Sequence, residues 1–200
     1  MDAKALFNIG YGLYVLSANQ DGKDNGCIVN AVLQVTDTPK QIVVAANKNG
    51  LTHDMVAATG RFTLSVLTED TPFEVFQRFG MQSGRDADKF AGMETVRGEN
   101  GIYFLKDTTN AFISAEVKTT IDAGTHTMWV AEVTSAEVLS DKNTVTYTYY
   151  HKNIKAAPQK SETKKWVCSL CGYEYEGEGA PPADYICPLC KHDVSYFEEQ

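Results

Sequence analysis

The stretch WVCSLCGYEYEGEGAPPADYICPLCKHDVSYFE, residues 166–198, decides the fold of the C-terminal part of this 200-residue chain. It contains two Cys-x-x-Cys pairs separated by 15 residues, Cys168 with Cys171 and Cys187 with Cys190. A two-residue gap lets both thiolates of a pair reach one ion, and two pairs complete a tetrahedron of soft ligands. The spacing therefore predicts a metal site, but zinc and iron both accept it. So short a unit has too little apolar core to fold without its metal.

The residues around the cysteines resemble those of rubredoxins. The resemblance rests on Trp166–Tyr175, Cys187–Cys190 and the closing aromatic segment Asp193–Glu198. Gly172 fits the sharp turn that follows a Cys-x-x-Cys pair, where backbone N–H groups near sulfur tune an iron centre. Lys191 stands where a second glycine is usual, which leaves one N–H···S bond in question. The short loop between the pairs is similar to the compact form in rubrerythrins. The resemblance implies one redox-active iron, and a redox-silent zinc ribbon is the less favoured alternative.

Composition limits the classes of function. Apolar residues make up 43% and charged residues 22%, as in an ordinary globular protein. A net charge of −8 disfavours nucleic acid as a main partner. No apolar stretch is long enough to cross a membrane, and Met1–Lys4 does not resemble the start of a signal peptide. We therefore expect a cytoplasmic protein, in which paired cysteines indicate metal chemistry rather than disulfides.

The rest of the chain predicts a second, larger domain. Residues 1–152 contain one cysteine, Cys27, and residues 153–164 form a polar stretch that predicts a linker to a small domain at 165–200. Turn residues such as Asp21–Gly26 separate several strand-like runs. These runs predict a barrel or sandwich rather than a doubly wound sheet: Leu13–Ala18, Cys27–Val35, Gln41–Ala46, Arg61–Leu67, Ala111–Ile121, Met128–Val138 and Thr144–Tyr150. Two helices are predicted, Leu51–Gly60 and Thr71–Gly80, the second with Pro72 at its first position.

The larger domain resembles the flavin reductase-like split-barrel proteins, flavoredoxin in particular, over almost all of its length. Five segments in the same order carry the resemblance: Gly26–Thr36, Ala46–Val56, Gly60–Leu67, Phe79–Phe90 and Gly124–Val133. The resemblance implies a mainly β, FMN-binding split barrel with a few helices. It also implies a homodimer, which the tail Tyr147–Lys152 helps to build.

Candidate flavin-site residues follow from the chemistry that FMN requires and from the resemblance to flavin reductase-like proteins. The FMN phosphate needs N–H donors and cations, which the loop and helix start at Asn47, Lys48 and Thr52 can offer. A second polar and basic cluster comprises Ser83, Arg85 and Lys89. Backbone groups of Asn30, Ala31 and Val32 could meet the polar edge of the flavin ring. The resemblance implies flavin contacts at Asn30, Thr52, Lys89 and His126, with His126 as the catalytic candidate.

Each of these residues has a simpler alternative. His126 could be a satisfied core histidine, and Lys48, Arg85 and Lys89 could be solvated loop charges. His53 is expected to support the start of the helix, and Cys27 to be a buried apolar residue.

The two resemblances together are typical of fused electron carriers of anaerobic bacteria. FMN would accept electrons from an NAD(P)H-dependent reductase and pass them singly to iron. The iron would then reduce a terminal acceptor such as a flavodiiron protein that reduces oxygen or nitric oxide. One alternative is an NAD(P)H-dependent flavin or rubredoxin reductase, although no G-x-G-x-x-G dinucleotide motif is present. Another is a flavin-binding protein with a zinc ribbon for docking.

Overall fold

A computed structural model describes residues 2–155, 166–175 and 180–199. Backbone contacts divide the chain into two compact units, residues 1–155 and 156–200. Of the predicted linker, Asn153 and Ile154 continue the last helical turn of the first unit, and Lys155 caps it. Residues 156–164 of that linker lie outside the described residues. No helix in the described parts is long and apolar enough to cross a membrane.

In the described residues of the first unit, a seven-stranded antiparallel sheet has the order β2-β1-β5-β8-β9-β4-β3, and β6 pairs with β7 separately. The strands are β1 Tyr14–Gln20, β2 Lys23–Val29, β3 Val32–Asp37, β4 Lys40–Asn47, β5 Arg61–Leu67, β6 Thr95–Arg97, β7 Tyr103–Leu105, β8 Thr109–Ala123 and β9 His126–Val138. The helices are a 3-10 helix Ala3–Asn8, α1 Leu51–Thr59, α2 Phe73–Gly80, a single turn α3 Tyr147–Tyr149 and a π-helix Tyr150–Ile154.

A short connection forces this sheet to curl. β2 and β3 lie at opposite edges of the sheet order, yet only Asn30 and Ala31 separate them along the chain. Three Cα steps reach at most about 11 Å, so the two edges must approach each other at this corner. Ala31 also accepts a hydrogen bond from the backbone N–H of Ala45 on β4. The result is a barrel left open between two strands, as the sequence predicted.

Two clusters of buried side chains hold the first unit together. One lies inside the curled sheet, where Phe62 and Trp129 pack against Met55 and Val56 of α1. The other lies under α2, where Phe76 and Phe79 are buried against neighbouring strands and the C-terminal turn. Both helices were predicted, but Pro72 is the residue before α2 and not its first member.

Three predicted elements were wrong in detail. The run Cys27–Val35 is two strands, because the chain turns at Asn30 and the N–H of Val32 bonds back to its carbonyl. The predicted turn Asp21–Gly26 is only Asp21 and Gly22, both at positive φ, and β2 already begins at Lys23. The predicted strand Thr144–Tyr150 makes isolated bridges and then becomes helical at Tyr147.

The second unit is a small aromatic core around the cysteines. Strand β10 Trp166–Cys168 pairs with β11 Phe197–Glu199 in an antiparallel arrangement. A 3-10 turn, Val194–Tyr196, directly precedes β11. Phe197 is buried, and Tyr173 and Tyr185 meet it edge-to-face. This core is small, which agrees with a fold that depends on its metal.

Candidate functional site

A cleft in the first unit lies where β2 ends, α1 begins and the loop after α2 passes. Its volume is about 640 Å³, within the range of roughly 300–1,000 Å³ that is common for small-molecule sites. Seven of the predicted flavin-site residues line it: Asn30, Ala31, Asn47, Thr52, Ser83, Lys89 and His126. Val32, Lys48 and Arg85 are not among the residues that line it.

The start of α1 gives this cleft its anion-binding potential. Gly50, at the N-cap of α1, has no side chain to cap the helix, and Gly50, Leu51 and Thr52 all line the cleft. The first amides of a helix have no carbonyl partner within it and carry the positive end of its dipole. The site therefore offers the N–H donors that a flavin phosphate requires.

Thr52 is held by a residue that the sequence did not identify. The Asn25 side-chain amide donates to Thr52 Oγ1 over 2.9 Å, and both residues are buried. Gly84 on the facing loop lies so close that a Cβ there would overlap the Asn25 side chain. Asn25 was missed because it was assigned to a turn. Its alternation with Cys27 would have placed both on one face of β2 if the strand had been predicted to begin at Lys23.

Lys89 is a structural cation in the wall of the cleft. Its side chain is 4% exposed, and Nζ donates to the carbonyl oxygens of Gly26 at 3.0 Å and Phe79 at 3.2 Å. The alternative that Lys89 is a solvated loop charge was therefore wrong. Burial lowers the pKa of Lys89 and raises the pKa of the neighbouring Cys27 thiol. Lys89 thus ties β2 to the end of α2 and places a cation beside an uncharged thiol.

Lys48 and Arg85 instead form ion pairs outside the cleft lining. Lys48 Nζ lies 2.6 Å from Asp122 Oδ1, and Arg85 Nη2 lies 2.6 Å from Asp54 Oδ2. Hydrogen bonds from Arg85 and then His53 hold the pKa of Asp54 below its usual value. The structure gives both cations a role in holding loops, which the sequence could not distinguish from phosphate binding.

The two neighbouring histidines have different surroundings. His126 is exposed at the start of β9, opposite Asn47 of β4, and its Nδ1 is hydrogen-bonded to Thr125 Oγ1 at 2.9 Å. His126 is therefore not a core histidine. His53 stacks on Trp129 and is hydrogen-bonded to Thr127 Oγ1 at 2.8 Å, so it fastens α1 to β9 as expected.

The second unit brings the four predicted metal ligands together. All four Sγ atoms of Cys168, Cys171, Cys187 and Cys190 lie within 4.8 Å of one another. Cys168 and Cys190 are 3.7 Å apart, and Cys171 and Cys187 are 3.5 Å apart. A tetrahedral ion with metal–sulfur bonds of about 2.3 Å requires sulfur–sulfur distances of about 3.8 Å, so the donor set fits one ion.

The two loops that carry these cysteines are near copies of each other. Gly172 has φ 73° and donates to the Cys168 carbonyl at 2.8 Å, and Lys191 has φ 65° and donates to the Cys187 carbonyl at 2.9 Å. The next residue in each loop, Tyr173 or His192, accepts from the N–H of the loop's first cysteine at 2.9 or 2.8 Å. Lys191 thus adopts the left-handed conformation that the missing glycine would have provided.

Backbone donors also reach the sulfurs. The N–H groups of Tyr173 and His192 bond to Cys171 and Cys190 respectively, so the second loop keeps the N–H···S bond that Lys191 had put in question. Burial acts to raise the pKa of Cys187, but N–H groups of Cys190 and Leu189 and the neighbouring thiols lower it to about 6. Such donors stabilise thiolates, the form that binds metal, but burial and the neighbouring thiols outweigh them at Cys171, whose pKa is raised to about 12, and also raise the pKa of Cys190.

Comparison with known proteins agrees with both sites. Residues 6–158 match the flavin reductase like domain family, and residues 166–198 match the rubrerythrin, rubredoxin-like domain family. The chain is 36% identical over 228 aligned positions to a high molecular weight rubredoxin of Moorella thermoacetica, covering 100% of both chains. It is 39% identical to a ferric-chelate reductase (NAD(P)H) of Archaeoglobus fulgidus, covering 82% of this chain and 96% of that one.

A solved structure shows the same fold. Flavoredoxin from Methanosarcina acetivorans superposes with a TM-score of 0.60 at 24% identity, over 66% of this chain and 70% of that one. The relatives support a flavin-linked electron carrier with a flavin and a metal, and the compact rubrerythrin-type form of the metal unit was predicted correctly. The chain therefore belongs to the flavin reductase like family and carries a C-terminal rubredoxin-like domain.

Proposed function

We propose that the chain carries electrons from FMN in the cleft of the first unit to one iron held by the four cysteines, and then to a protein acceptor. The observation that carries the proposal is the presence of both sites in one chain. A cleft lined by helix N–H groups and a four-thiolate cluster with S···S distances of 3.5 and 3.7 Å are both described. A bound flavin supplies the ability to take up electrons in pairs and release them singly.

In the cleft, each part of the chain has its own task. The α1 amides and Thr52 would hold the phosphate, and Lys89 would keep the wall positively charged. The backbone at Asn30–Ala31 lies where the chain turns; both of its carbonyls already accept hydrogen bonds, so its N–H groups would meet the ring edge. His126 is exposed at the rim, beside Asn47, where it could contact a substrate or hold a proton.

In the metal unit, the unequal exposure of the four cysteines indicates where an electron would leave the metal centre. Cys168 and Cys187 are fully buried, whereas Cys171 and Cys190 are half-buried and reach the surface. The N–H···S bonds at Cys171 and Cys190 favour a centre that changes charge, because they stabilise the more negative state. These features fit an iron centre that exchanges electrons at the surface, and metal analysis is the measurement that distinguishes iron from zinc.

The partners belong to the same proposal. We infer an upstream NAD(P)H-dependent reductase, a downstream acceptor of the flavodiiron type, a homodimer and a cytoplasmic location. Support for a dimer comes from an exposed recess of about 320 Å³ lined by Tyr147, Thr148, His151 and Lys152, in the tail expected at the interface.

A second function is favoured by one relative. The ferric-chelate reductase is named as using NAD(P)H, and the match covers 82% of this chain and 96% of the reductase. In that case the flavin of this chain would itself oxidise NAD(P)H, with His126 at the rim of the cleft. Mixing the protein with NADH or NADPH separates the two functions, because rapid flavin bleaching supports a reductase and slow or absent bleaching supports a relay.

The experiment that tests the main proposal is an absorption spectrum with metal analysis. Protein purified without oxygen should contain one FMN and one iron per chain and show flavin and ferric–thiolate bands. One zinc and no iron per chain would rule out the relay.

A further inference from the structure

Lys191 combines two unusual features at the metal site. Within the described residues, it and Asp21 are the two non-glycine residues with positive φ, and Asp21 lies in a hairpin turn. Lys191 directly follows Cys190, one of the two half-buried ligands, and its side chain is exposed. The equivalent position in the twin loop is Gly172, which adopts the same conformation without steric cost.

This conformation disfavours any side chain, so the lysine needs a reason to be there. Left-handed backbone crowds a Cβ against the following carbonyl, and such strain tends to persist at functional sites. The backbone geometry itself does not require lysine, because Gly172 makes the same hydrogen bond to its own loop. What lysine adds is a side chain with a positive charge.

That charge is isolated within the stretch that forms the metal site, although Lys160, Lys164 and Lys165 also belong to the second unit. From Trp166 to Gln200 the sequence contains one Lys or Arg, Lys191. Over the same stretch it contains seven carboxylate residues: Glu174, Glu176, Glu178, Asp184, Asp193, Glu198 and Glu199. A ferric ion with four thiolates carries a net charge of −1, and uptake of one electron makes it −2. A cation beside the cluster stabilises the second state more than the first.

We propose that Lys191 raises the reduction potential of the four-cysteine centre through its charge, and that this effect maintains a lysine where glycine would be less strained. The inference rests on the proposed function, since it requires iron at the cysteines. The reaction it affects is uptake of one electron by the ferric centre, from FMN in the proposed relay or from dithionite in a titration. Lys191 acts on the centre without being a ligand.

The test is a spectroelectrochemical titration of the iron-loaded full-length protein, followed in the ferric–thiolate band beyond the flavin absorption. Lys191→Gln removes the charge but keeps a side chain in the strained conformation, and Lys191→Gly removes both. Lys191→Arg keeps the charge. At low salt, Gln and Gly should each make reduction about threefold less favourable, which is a shift of about 28 mV at 59 mV per tenfold, and Arg should match wild type.

Two further readouts separate charge from structure. The difference in reduction potential between wild type and Lys191→Gln should shrink as salt is added, because salt screens exposed charges. A difference caused by the backbone would not depend on salt. In zinc-loaded protein, Lys191→Gly should unfold at higher denaturant concentration than Lys191→Gln, since only glycine relieves the strain.

Equal potentials for wild type, Gln and Gly at low salt would overturn the inference. Failure of the proposed function would look different, because protein purified without oxygen would then contain zinc. Protein refolded with iron would still report the effect of Lys191.

Discussion

Arg85 Nη2 and Asp54 Oδ2 are 2.6 Å apart, and this ion pair fastens the loop after α2 to the first turns of α1. Ser83 and Gly84 of that loop and Thr52 of that helix all line the cleft. Arg85 was predicted as a flavin-site residue, and the structure places it in this ion pair beside the lining of the cleft.

Breaking this pair should weaken FMN binding without abolishing it. Exposed ion pairs contribute about 0.2–1 kcal/mol, so Asp54→Asn or Arg85→Gln should raise the Kd for FMN by a factor between about 1.4 and 5. Quenching of flavin fluorescence measures this affinity. The control is Lys40→Gln, which breaks an exposed pair with Asp37 away from the cleft and should leave the Kd unchanged. An unaltered Kd in Asp54→Asn would show that the loop holds its position without the pair.

The same carboxylate should contribute to stability in acid. In the folded protein, hydrogen bonds from Arg85 and then His53 lower the pKa of Asp54 from 3.8. The unfolded chain therefore binds the proton first, so the contribution is present above pH 3.8 and is lost as the pH falls below it. Urea unfolding at a series of pH values should show a shallower acid decline in Asp54→Asn and in Arg85→Gln. A decline as steep as that of wild type would contradict this assignment.

Gly84 should tolerate no side chain. A Cβ there would overlap the Asn25 amide that holds Thr52, so Gly84→Ala should weaken FMN binding about tenfold and lower the free energy of unfolding by about 1–3 kcal/mol. Gly10→Ala is the matched control, because a Cβ at Gly10 meets nothing within 4 Å. Affinity and stability are measured by flavin titration and urea unfolding, and equal behaviour of the two variants would contradict the close approach.

Lys89 should matter for both folding and flavin binding. Lys89→Met removes the donor to the Gly26 and Phe79 carbonyls, which should cost about 1–3 kcal/mol of stability. It also removes the cation from the wall of the cleft, so FMN should bind about tenfold more weakly. Lys40→Met, at an exposed lysine, should change neither quantity. Wild-type FMN affinity in Lys89→Met would show that the cation does not face the cofactor.

Local patterns in the sequence predicted the elements and the metal ligands well. The four cysteines and Gly172 form local patterns in which neighbouring members are one to three positions apart, so they can be recognised directly in the sequence. Most strands of the main sheet and helices α1 and α2 also follow from short periodic runs. The break at Asn30–Ala31 does not, because the residues around it are apolar on both sides, and the short strands β6 and β7 were not predicted.

Contacts between distant segments could not be predicted in the same way. The sequence alone does not distinguish the three basic residues Lys48, Arg85 and Lys89. In the structure Lys48 pairs with Asp122 and Arg85 pairs with Asp54. Lys89 is buried and donates to two carbonyl oxygens. Their partners lie 10 to 74 positions away along the chain. Asn25 was missed for a related reason, since its role depends on Thr52 and Gly84 from two other segments.

The proposed relay through the four-cysteine centre is tested by electron delivery from reduced protein to an oxidised free-standing rubredoxin. Wild type, Cys187→Ser and, as a control away from both sites, Lys40→Gln are loaded with FMN and iron, reduced without oxygen and mixed with the acceptor. The proposed relay predicts that Cys187→Ser retains FMN but no longer reduces the acceptor rapidly, whereas Lys40→Gln does so at the wild-type rate. Wild-type delivery by Cys187→Ser would contradict it, because the four-cysteine centre would then lie off the path.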